Sequence, residues 1–327
     1  MNVAATGITR RSFLQRTGAA AMGLTAVGGE VLLAETASPD IALRVAFATD
    51  LHLMVNGARG SAEGIAQCLD AIEALRPRPD FILCGGDLTH ESPDLDFKEA
   101  EELLDQFLVV WQKHTNIPSH FTFGNHDLVG AKSLSANHDD GRFGKGLFQR
   151  RLGLGQTYYS FDAGDWHFVI LDDVILKTDG SYVGEFPREQ LTFLRDDLTK
   201  NRTRPTVICG HIPSVSVFPI YAGLAHVVGS HIEVAAAEIA TNTPALLEVV
   251  TQTKANVRLV LAGHLHHLER IDLDGICFLN GGAVCGNFWK GPKMGCSEGF
   301  SLLDLQSDGS FVAKYQSIGW TAQGRPS

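Results

Sequence analysis

Five short apolar runs in this chain each end abruptly in Asp, Asn or His side chains. The polar groups that follow the runs are Asp50-Leu51-His52, Gly86-Asp87, Gly124-Asn125-His126-Asp127, Gly210-His211 and Gly263-His264-Leu265-His266. Short β-prone runs that stop at turn residues are typical of buried strands. A glycine at the end lets the backbone turn sharply, so that the next side chains face a cleft. The pattern predicts buried strands that deliver chemically active groups to loops at their ends.

Helical patterns lie between these runs, so the order of elements indicates an α/β fold. Ile65, Cys68, Leu69, Ile72 and Leu75 have the spacing of an amphipathic helix. Ser92-Pro93-Asp94 is predicted to open a second helix that continues to about Lys113. The central strand is predicted at Phe121-Thr122-Phe123. A hairpin is predicted over residues 158–171, and alternating patterns from Leu268 to Trp320 predict terminal β-hairpins.

Composition and charge limit the possible classes of protein. The chain has 327 residues, of which 44% are hydrophobic and 20% are charged, as in an ordinary globular protein. The net charge of −10 argues against a nucleic-acid-binding surface, because phosphate backbones require a surplus of Lys and Arg. Six cysteines do not make a disulfide framework in a chain of this length, although a Cys285–Cys296 bridge remains an open possibility.

The N-terminus has the pattern of a twin-arginine export signal. Arg10-Arg11 is followed by Ser12-Phe13-Leu14 and then by a weakly apolar stretch that is rich in Gly and Ala. We expect residues 1–34 to be the signal peptide and the twin-arginine machinery to be its partner. Residues 35–327 are then one domain with a C-terminal β extension from about residue 268. The protein is expected in the periplasm or outside the cell, without a stable membrane anchor, because the apolar stretch is short for a secure span.

The active groups suit a pair of metal ions. In an extended segment, side chains two residues apart point to the same side, so Asp50 with His52 and His264 with His266 can reach one cluster. Carboxylate, imidazole and amide oxygen ligands suit Zn²⁺, Mn²⁺ or iron. Seven such ligands exceed the needs of one cation and suffice for two: Asp50, His52, Asp87, Asn125, His211, His264 and His266.

The ordered set of motifs resembles the calcineurin-like metallophosphoesterases. That family has the blocks Asp-x-His, Gly-Asp, Gly-Asn-His-Asp or Glu, Gly-His and Gly-His-x-His, and the five groups given above match them in the same order over residues 43–267. The resemblance implies a four-layer αββα sandwich with the site at the C-terminal ends of the strands. It also implies hydrolysis of a small phosphorylated substrate, a phosphodiester or a phosphomonoester.

The resemblance assigns a role to each motif residue. One metal would be held by Asp50, His52, Asp87 and His266, and the second by Asp87, Asn125, His211 and His264. In two-metal hydrolysis the cations turn a bound water into the attacking hydroxide. His126 would assist the leaving group as an acid, and Asp127 would orient His126. The metals could be iron, manganese or zinc.

Other functions stay open at this point. The motif forms are similar to those of bacterial cyclic-nucleotide phosphodiesterases, but an export signal would separate the protein from cytosolic cyclic AMP. Purple acid phosphatases have a tyrosine ligand three residues after the shared Asp, where this chain has His90. A non-catalytic metal- or protein-binding member of the fold is a further alternative. A metallo-β-lactamase-type hydrolase is disfavoured, because its His-x-His-x-Asp-His run is absent from the sequence.

Overall fold

The computed structural model describes residues 41–133 and 136–323. The predicted signal peptide and its cleavage site lie outside the described residues, and the domain boundaries at residues 35 and 268 stay predictions. Within the described ranges, no helix combines the length and the apolar character that crossing a membrane would need.

Two large sheets form the centre of the fold. The first sheet has the strand order β15-β14-β1-β2-β3, and the second has the order β12-β13-β11-β8-β5-β4. The strands of the first sheet are β1 (Ile41–Ala48), β2 (Phe81–Cys84), β3 (Ser119–Phe121), β14 (Gly299–Gln306) and β15 (Phe311–Ser317). Those of the second sheet are β4 (Tyr159–Ala163), β5 (Trp166–Ile170), β8 (Thr206–Cys209), β11 (Val257–Ala262), β12 (Leu268–Leu273) and β13 (Ile276–Gly281).

The remaining elements surround these sheets. The helices are α1 (Ser61–Glu73), α2 (Phe97–His114), α3 (Gly146–Arg151), α4 (Arg188–Asn201), α5 (Phe218–Tyr221) and α6 (Thr243–Thr253). Two small hairpins join β6 (Val174–Leu176) with β7 (Tyr182–Gly184) and β9 (His226–Val228) with β10 (His231–Glu233). Short 3₁₀ segments occur at Val55–Gly60 and Asn125–Asp127.

Three apolar layers hold four layers of structure together. Side chains such as Val45, Phe168 and Leu261 fill the space between the two sheets. The outer face of the first sheet packs on helices α1 and α2, and that of the second packs on α4 and α6. An apolar core on each face of both sheets requires this layered arrangement, since a sheet buries a face only against another element. The predicted αββα sandwich is therefore confirmed.

The parallel strands of each sheet end at a common edge. In the first sheet Ala48 lies beside Cys84, and Cys84 lies beside Phe121. In the second sheet Cys209 pairs with Leu261 and with Ile170. Because ligands in α/β folds bind beyond the carboxyl ends of the strands, this edge is where a site is expected. All five predicted groups follow these strand ends.

Two element boundaries differ from prediction. The second helix begins at Phe97 rather than near Pro93, because Asp96 accepts the amides of Lys98 and Glu99 and forms a capping box with Glu99. The central strand covers Ser119–Phe121 instead of residues 121–123. Past Phe121, the Thr122 amide still donates to the Cys84 carbonyl of β2 at 3.0 Å.

The two terminal hairpins are confirmed, and they complete different sheets. Strand β13 pairs with β11 in parallel, whereas β14 pairs with β1 antiparallel. All six cysteines are free thiols, so the Cys285–Cys296 bridge is not formed. The Cys285 thiol instead lies 3.5 Å from Nδ1 of His266.

Candidate metal centre

The structure gathers the predicted metal ligands into one cluster beyond the strand ends. Two groups of side chains each place their donor atoms within 4.8 Å of one another. The first group contains Asp50, His52, Asp87 and His266, and the second contains Asp87, His211 and His264. Asp87 belongs to both groups. Chain segments more than 200 residues apart therefore converge at a single carboxylate.

Four donor atoms of the first group face a common point. Nε2 of His52 lies 3.1 Å from Nε2 of His266 and 3.3 Å from Oδ2 of Asp87. Nε2 of His266 lies 3.2 Å from Oδ1 of Asp50. All four side chains are buried. Buried imidazole and carboxylate groups this close together are the arrangement that a shared cation stabilises.

The second group adds the amide that the sequence predicted. Nε2 of His211 lies 3.4 Å from Oδ2 of Asp87 and 3.2 Å from Oδ1 of Asn125. The His264 ring lies 5.1 Å from the His211 ring, between centroids, and meets it edge-on. The Oδ2 atom that His211 contacts is the same oxygen of Asp87 that lies near His52.

The donor set fits two metal ions. Ligand atoms about 2.0–2.2 Å from a transition metal lie roughly 3–3.5 Å from one another, which is the range of the donor separations given above. The atoms are imidazole nitrogens and carboxylate or amide oxygens, a set that suits zinc, manganese or iron. The roles of the individual residues as ligands remain predictions, which the geometry supports.

The backbone at the ligands is not extended, contrary to the argument made from the sequence. The φ angles are 55° at Asp50, 45° at His52, 53° at Asp87, 69° at His264 and 51° at His266. Positive φ is uncommon outside glycine and marks strain that the surrounding structure must hold. The amides of Leu51 and His52 both donate to the Asp87 carbonyl at 2.9 Å. Left-handed turns held by neighbouring loops, rather than strand alternation, aim the paired ligands.

Backbone carbonyls fix the orientation of three histidines. Nδ1 of His211 donates to the Gly85 carbonyl at 2.8 Å, and Nδ1 of His266 donates to the Gly286 carbonyl at 2.7 Å. Nδ1 of His126 contacts the His90 carbonyl at 2.5 Å. A ring that donates through Nδ1 keeps its Nε2 for a metal or a substrate. In His211 and His266, both predicted ligands, Nε2 faces Asp87 and Asp50 respectively.

The pKa values of the two histidines in the second group shift in opposite directions. Burial by itself lowers the pKa of His211, but the charge of Asp87 and the hydrogen bond to it raise that pKa to about 10. Burial and the neighbouring His211 lower the pKa of His264 to about 3. Burial opposes ionisation of Asp87, yet His211 and His126 hold the pKa of Asp87 well below its usual range. The cluster therefore keeps a carboxylate at its centre.

The carboxylate of Asp127 is hydrogen-bonded to the backbone of two loops. Its carboxylate accepts the amides of Asp87 at 2.9 Å, Leu88 at 2.9 Å, Gly124 at 2.8 Å and Thr89 at 3.4 Å. His126 is oriented by the His90 carbonyl and by its own amide, which donates to Oδ1 of Asp87 at 2.8 Å. Burial and the charge of Asp87 raise the pKa of Asp127 to about 7. Asp127 thus organises the Gly86-Asp87 loop, and its orientation of His126 stays a prediction.

The sequence reasoning missed Asp173. This buried carboxylate accepts the amide of His211 at 3.0 Å and the amide of Ile212 at 3.1 Å. Gly210 is required beside it, because an added Cβ would collide with Oδ2 of Asp173. The sequence contains a pattern that could have indicated Asp173, since the apolar run of residues 166–171 also ends in two Asp residues.

A cleft of about 270 Å³ opens onto the cluster. Asp87, Asn125, His126, His264 and His266 line its floor. Its other lining residues are Tyr182, Leu224, Glu238, Leu265, Phe288 and Lys293. A small molecule in this cleft would contact the predicted ligands and His126 together.

The layered fold and this cluster match a known class of proteins. The chain matches the calcineurin-like phosphoesterases over residues 43–268, which include all five motif groups. It therefore belongs to the calcineurin-like phosphoesterase family.

Particular members of the family are similar to this chain. It is 24% identical over 285 residues to a 3',5'-cyclic-nucleotide phosphodiesterase of Nostoc sp., an alignment that covers 84% of this chain and 92% of that protein. It is 26% identical to the serine/threonine-protein phosphatase CPPED1 of Mus musculus, over 61% of this chain and 57% of the mouse protein. Among solved structures, a dimetal phosphatase from Danio rerio has the same fold, with a TM-score of 0.59 and 17% identity over 85% of this chain and 97% of that one.

Proposed function

We propose that this protein is a dinuclear metal-dependent phosphoesterase in which Asp87 is shared by the two cations. The observation that carries the proposal is the position of Asp87, whose Oδ2 lies 3.3 Å from Nε2 of His52 and 3.4 Å from Nε2 of His211. Asp50, His52 and His266 would complete one metal site, and Asn125, His211 and His264 the other. When bound, two such cations lower the pKa of water and neutralise charge on a phosphoryl group.

His126 is the proposed acid for the leaving group. It lines the cleft beside Asn125, and its Nδ1 is engaged with the His90 carbonyl, so Nε2 is the nitrogen that can exchange a proton. Its ring stacks on the ring of His90, with centroids 4.7 Å apart and an interplanar angle of 11°. A rigid imidazole in this place can protonate a departing alkoxide or donate to a phosphoryl oxygen.

A small phosphodiester is the proposed substrate, and a phosphomonoester is the alternative. The relative from Nostoc sp. supports a diester, since it aligns along nearly its whole length and is named as a cyclic-nucleotide phosphodiesterase. The mouse relative supports the alternative over a shorter alignment. The net charge of −10 supports a small-molecule substrate over a nucleic acid.

We also propose export of the protein by the twin-arginine route to the periplasm or beyond. The support is the Arg10-Arg11 pattern in the first 34 residues. The test is cell fractionation of the wild type and of a variant with Arg10→Lys and Arg11→Lys. Retention of the double variant in the cytosol is expected, and equal distribution of the two proteins would contradict the proposal.

The decisive experiment combines metal analysis with a substrate panel. We expect about two equivalents of iron, manganese or zinc per chain, and faster hydrolysis of bis-p-nitrophenyl phosphate than of p-nitrophenyl phosphate. Asp87→Asn should lose most of both metals and the activity with them, because each group loses the shared carboxylate. The exposed Asp70→Asn is the matched control. Full metal content without hydrolysis of either ester would instead indicate a non-catalytic binding protein.

A further inference from the structure

The segment Gly286-Asn287-Phe288-Trp289 is built against the metal cluster, although no motif includes it. The Gly286 carbonyl accepts Nδ1 of His266 at 2.7 Å. The indole N–H of Trp289 donates to the His52 carbonyl at 3.0 Å. Two predicted ligands on different loops are thus bonded to this one segment.

The backbone of this segment is held in an unfavourable conformation. Phe288 and Trp289 have φ angles of 51° and 64°, a left-handed pair that bulky residues rarely adopt. Such strain persists only where the surroundings over-determine it, and it concentrates at functional sites. Here the surroundings are identifiable: Trp289 is 1% exposed, and Arg59 donates to the Phe288 carbonyl at 3.1 Å. Gly64 leaves the space for the Trp289 ring, because an added Cβ would collide with it.

The consequence of this conformation is the position of the Phe288 ring. Its centroid lies 4.6 Å from the ring of His266, 4.9 Å from that of His52 and 5.1 Å from that of His90. The side chain is only half-buried, and it lines the cleft over the cluster. The Phe288 ring therefore lies beside the place where a phosphoryl group would bind.

Further aromatic and aliphatic side chains line the cleft together with Phe288. Tyr182, Leu224 and Leu265 line the same space, and its charged rim residues are one lysine and one glutamate, Lys293 and Glu238. An aromatic ring gains more from stacking on another ring than from apolar contact alone. Base and aryl rings share this chemistry.

We propose that Phe288 determines specificity by stacking on an aromatic or heteroaromatic ring attached to the phosphoryl group of the substrate. This inference rests on the proposed function, because the metal cluster would bind the phosphoryl group itself. Phe288 contacts the substrate ring in this proposal, and the buried Trp289 holds the backbone of Phe288 in place.

Binding of phosphonates tests the inference without turnover. Phenylphosphonate, cyclohexylphosphonate and methylphosphonate share one head group and differ only in the attached group. Titration calorimetry on the metal-loaded protein should show phenylphosphonate binding about tenfold more tightly than methylphosphonate, with cyclohexylphosphonate nearer to methylphosphonate. Phe288→Ala should bring the ratio of phenylphosphonate to methylphosphonate affinity close to one; the ratio is the readout, because Phe288 also contacts the rings of His52 and His266. Phe288→Leu should do the same for the ring preference while it keeps most of the apolar contact.

Phe193→Ala is the matched control, because Phe193 packs beside Tyr158 in a separate cleft. Its ratio of phenylphosphonate affinity to methylphosphonate affinity should equal that of the wild type. A wild-type ratio of one, a ratio that survives Phe288→Ala, or equal affinity for the phenyl and cyclohexyl compounds would overturn the inference. Failure of every phosphonate to bind would contradict the proposed function itself and the inference with it, whereas tight methylphosphonate binding without ring preference contradicts the inference alone.

Discussion

The carboxylate of Asp127 accepts the backbone amide of Asp87 at 2.9 Å, so the residue next to His126 in sequence supports the loop that carries Asp87. Three more amides, from Leu88, Thr89 and Gly124, donate to the same carboxylate. The two loops that carry the Gly-Asp and Gly-Asn-His-Asp motifs are therefore joined through one buried side chain.

Asp127→Asn should destabilise the fold as well as the site. The new amide group would place N–H donors against backbone donors, and each unsatisfied buried donor costs about 1–3 kcal/mol. We expect a loss of about 3 kcal/mol in the free energy of unfolding, measured by urea denaturation in the presence of a chelator. Asp139→Asn, in the exposed look-alike sequence Asn137-His138-Asp139, should change that free energy by less than about 0.5 kcal/mol. Equal stability of the two variants would contradict the role of Asp127.

His126→Ala should retain the metals and lose turnover. The side chain of His126 is placed for proton transfer, which typically contributes about 10²–10⁴-fold to rate. We expect kcat to fall within that range while metal content, measured by mass spectrometry, stays at the wild-type value. His138→Ala is the control, since His138 stacks on Phe143 with ring centroids 4.2 Å apart. Wild-type kcat in His126→Ala would remove the acid role.

Asp173→Asn should weaken one metal site selectively. Asp173 accepts the amides that position His211, so its replacement loosens a ligand of the second group only. Loss of such a supporting contact typically costs about 10–100-fold in metal affinity. Titration calorimetry should show one weakened and one unchanged binding step. Asp172→Asn, whose carboxylate pairs with Lys145, should leave both steps unchanged, and equal weakening of both steps by Asp173→Asn would contradict the assignment.

His167 should make stability depend on pH at a position remote from the metals. Burial lowers its pKa, but carboxylates on both sides raise it overall: Asp197 lies 2.6 Å from Nε2 and Asp162 lies 2.7 Å from Nδ1. Because the folded pKa exceeds the unfolded value of about 6.5, the folded state binds the proton more tightly. The stabilisation is complete below about pH 6.5 and is lost as pH rises through the folded pKa.

Urea unfolding of the wild type and of His167→Asn across pH 5.5–9 measures this effect. The advantage of the wild type in the free energy of unfolding should be largest at acidic pH and should shrink as pH rises. Asp197→Asn should move that decline to lower pH, because one of the two carboxylates is removed. An advantage that grows with pH would contradict the proposed pairing.

Strand positions and ligand identities could be predicted because each depends on a short stretch of sequence. The run Phe81–Cys84 followed by Gly-Asp contains both the strand and the residue that leaves it, and the prediction of that strand is confirmed. The four layers follow in the same way from the order of apolar runs and amphipathic helices. The second helix begins later than Ser92-Pro93-Asp94 predicts, because Asp96 is the residue that forms the capping box with Glu99.

The rest depended on contacts between distant segments. Left-handed backbone at Asp50 and His52 is held by hydrogen bonds from loops that the local sequence does not contain. The support that Asp127 gives to Asp87, and that Asp173 gives to His211, likewise joins separate loops. Phe288 could not be found by motif, because only its φ angle and its ring contacts place it in the cleft.

The final strands of the chain have a consequence for the order of assembly. Strand β14 lies between β1 and β15, and the loop before it supplies the Gly286 carbonyl and the Trp289 indole to His266 and His52. A nascent chain that has reached His267 already contains every predicted metal ligand, yet the groups that orient two of them, His52 and His266, are still to be synthesised. The centre therefore cannot be fully ordered before residues 286–289 have been synthesised.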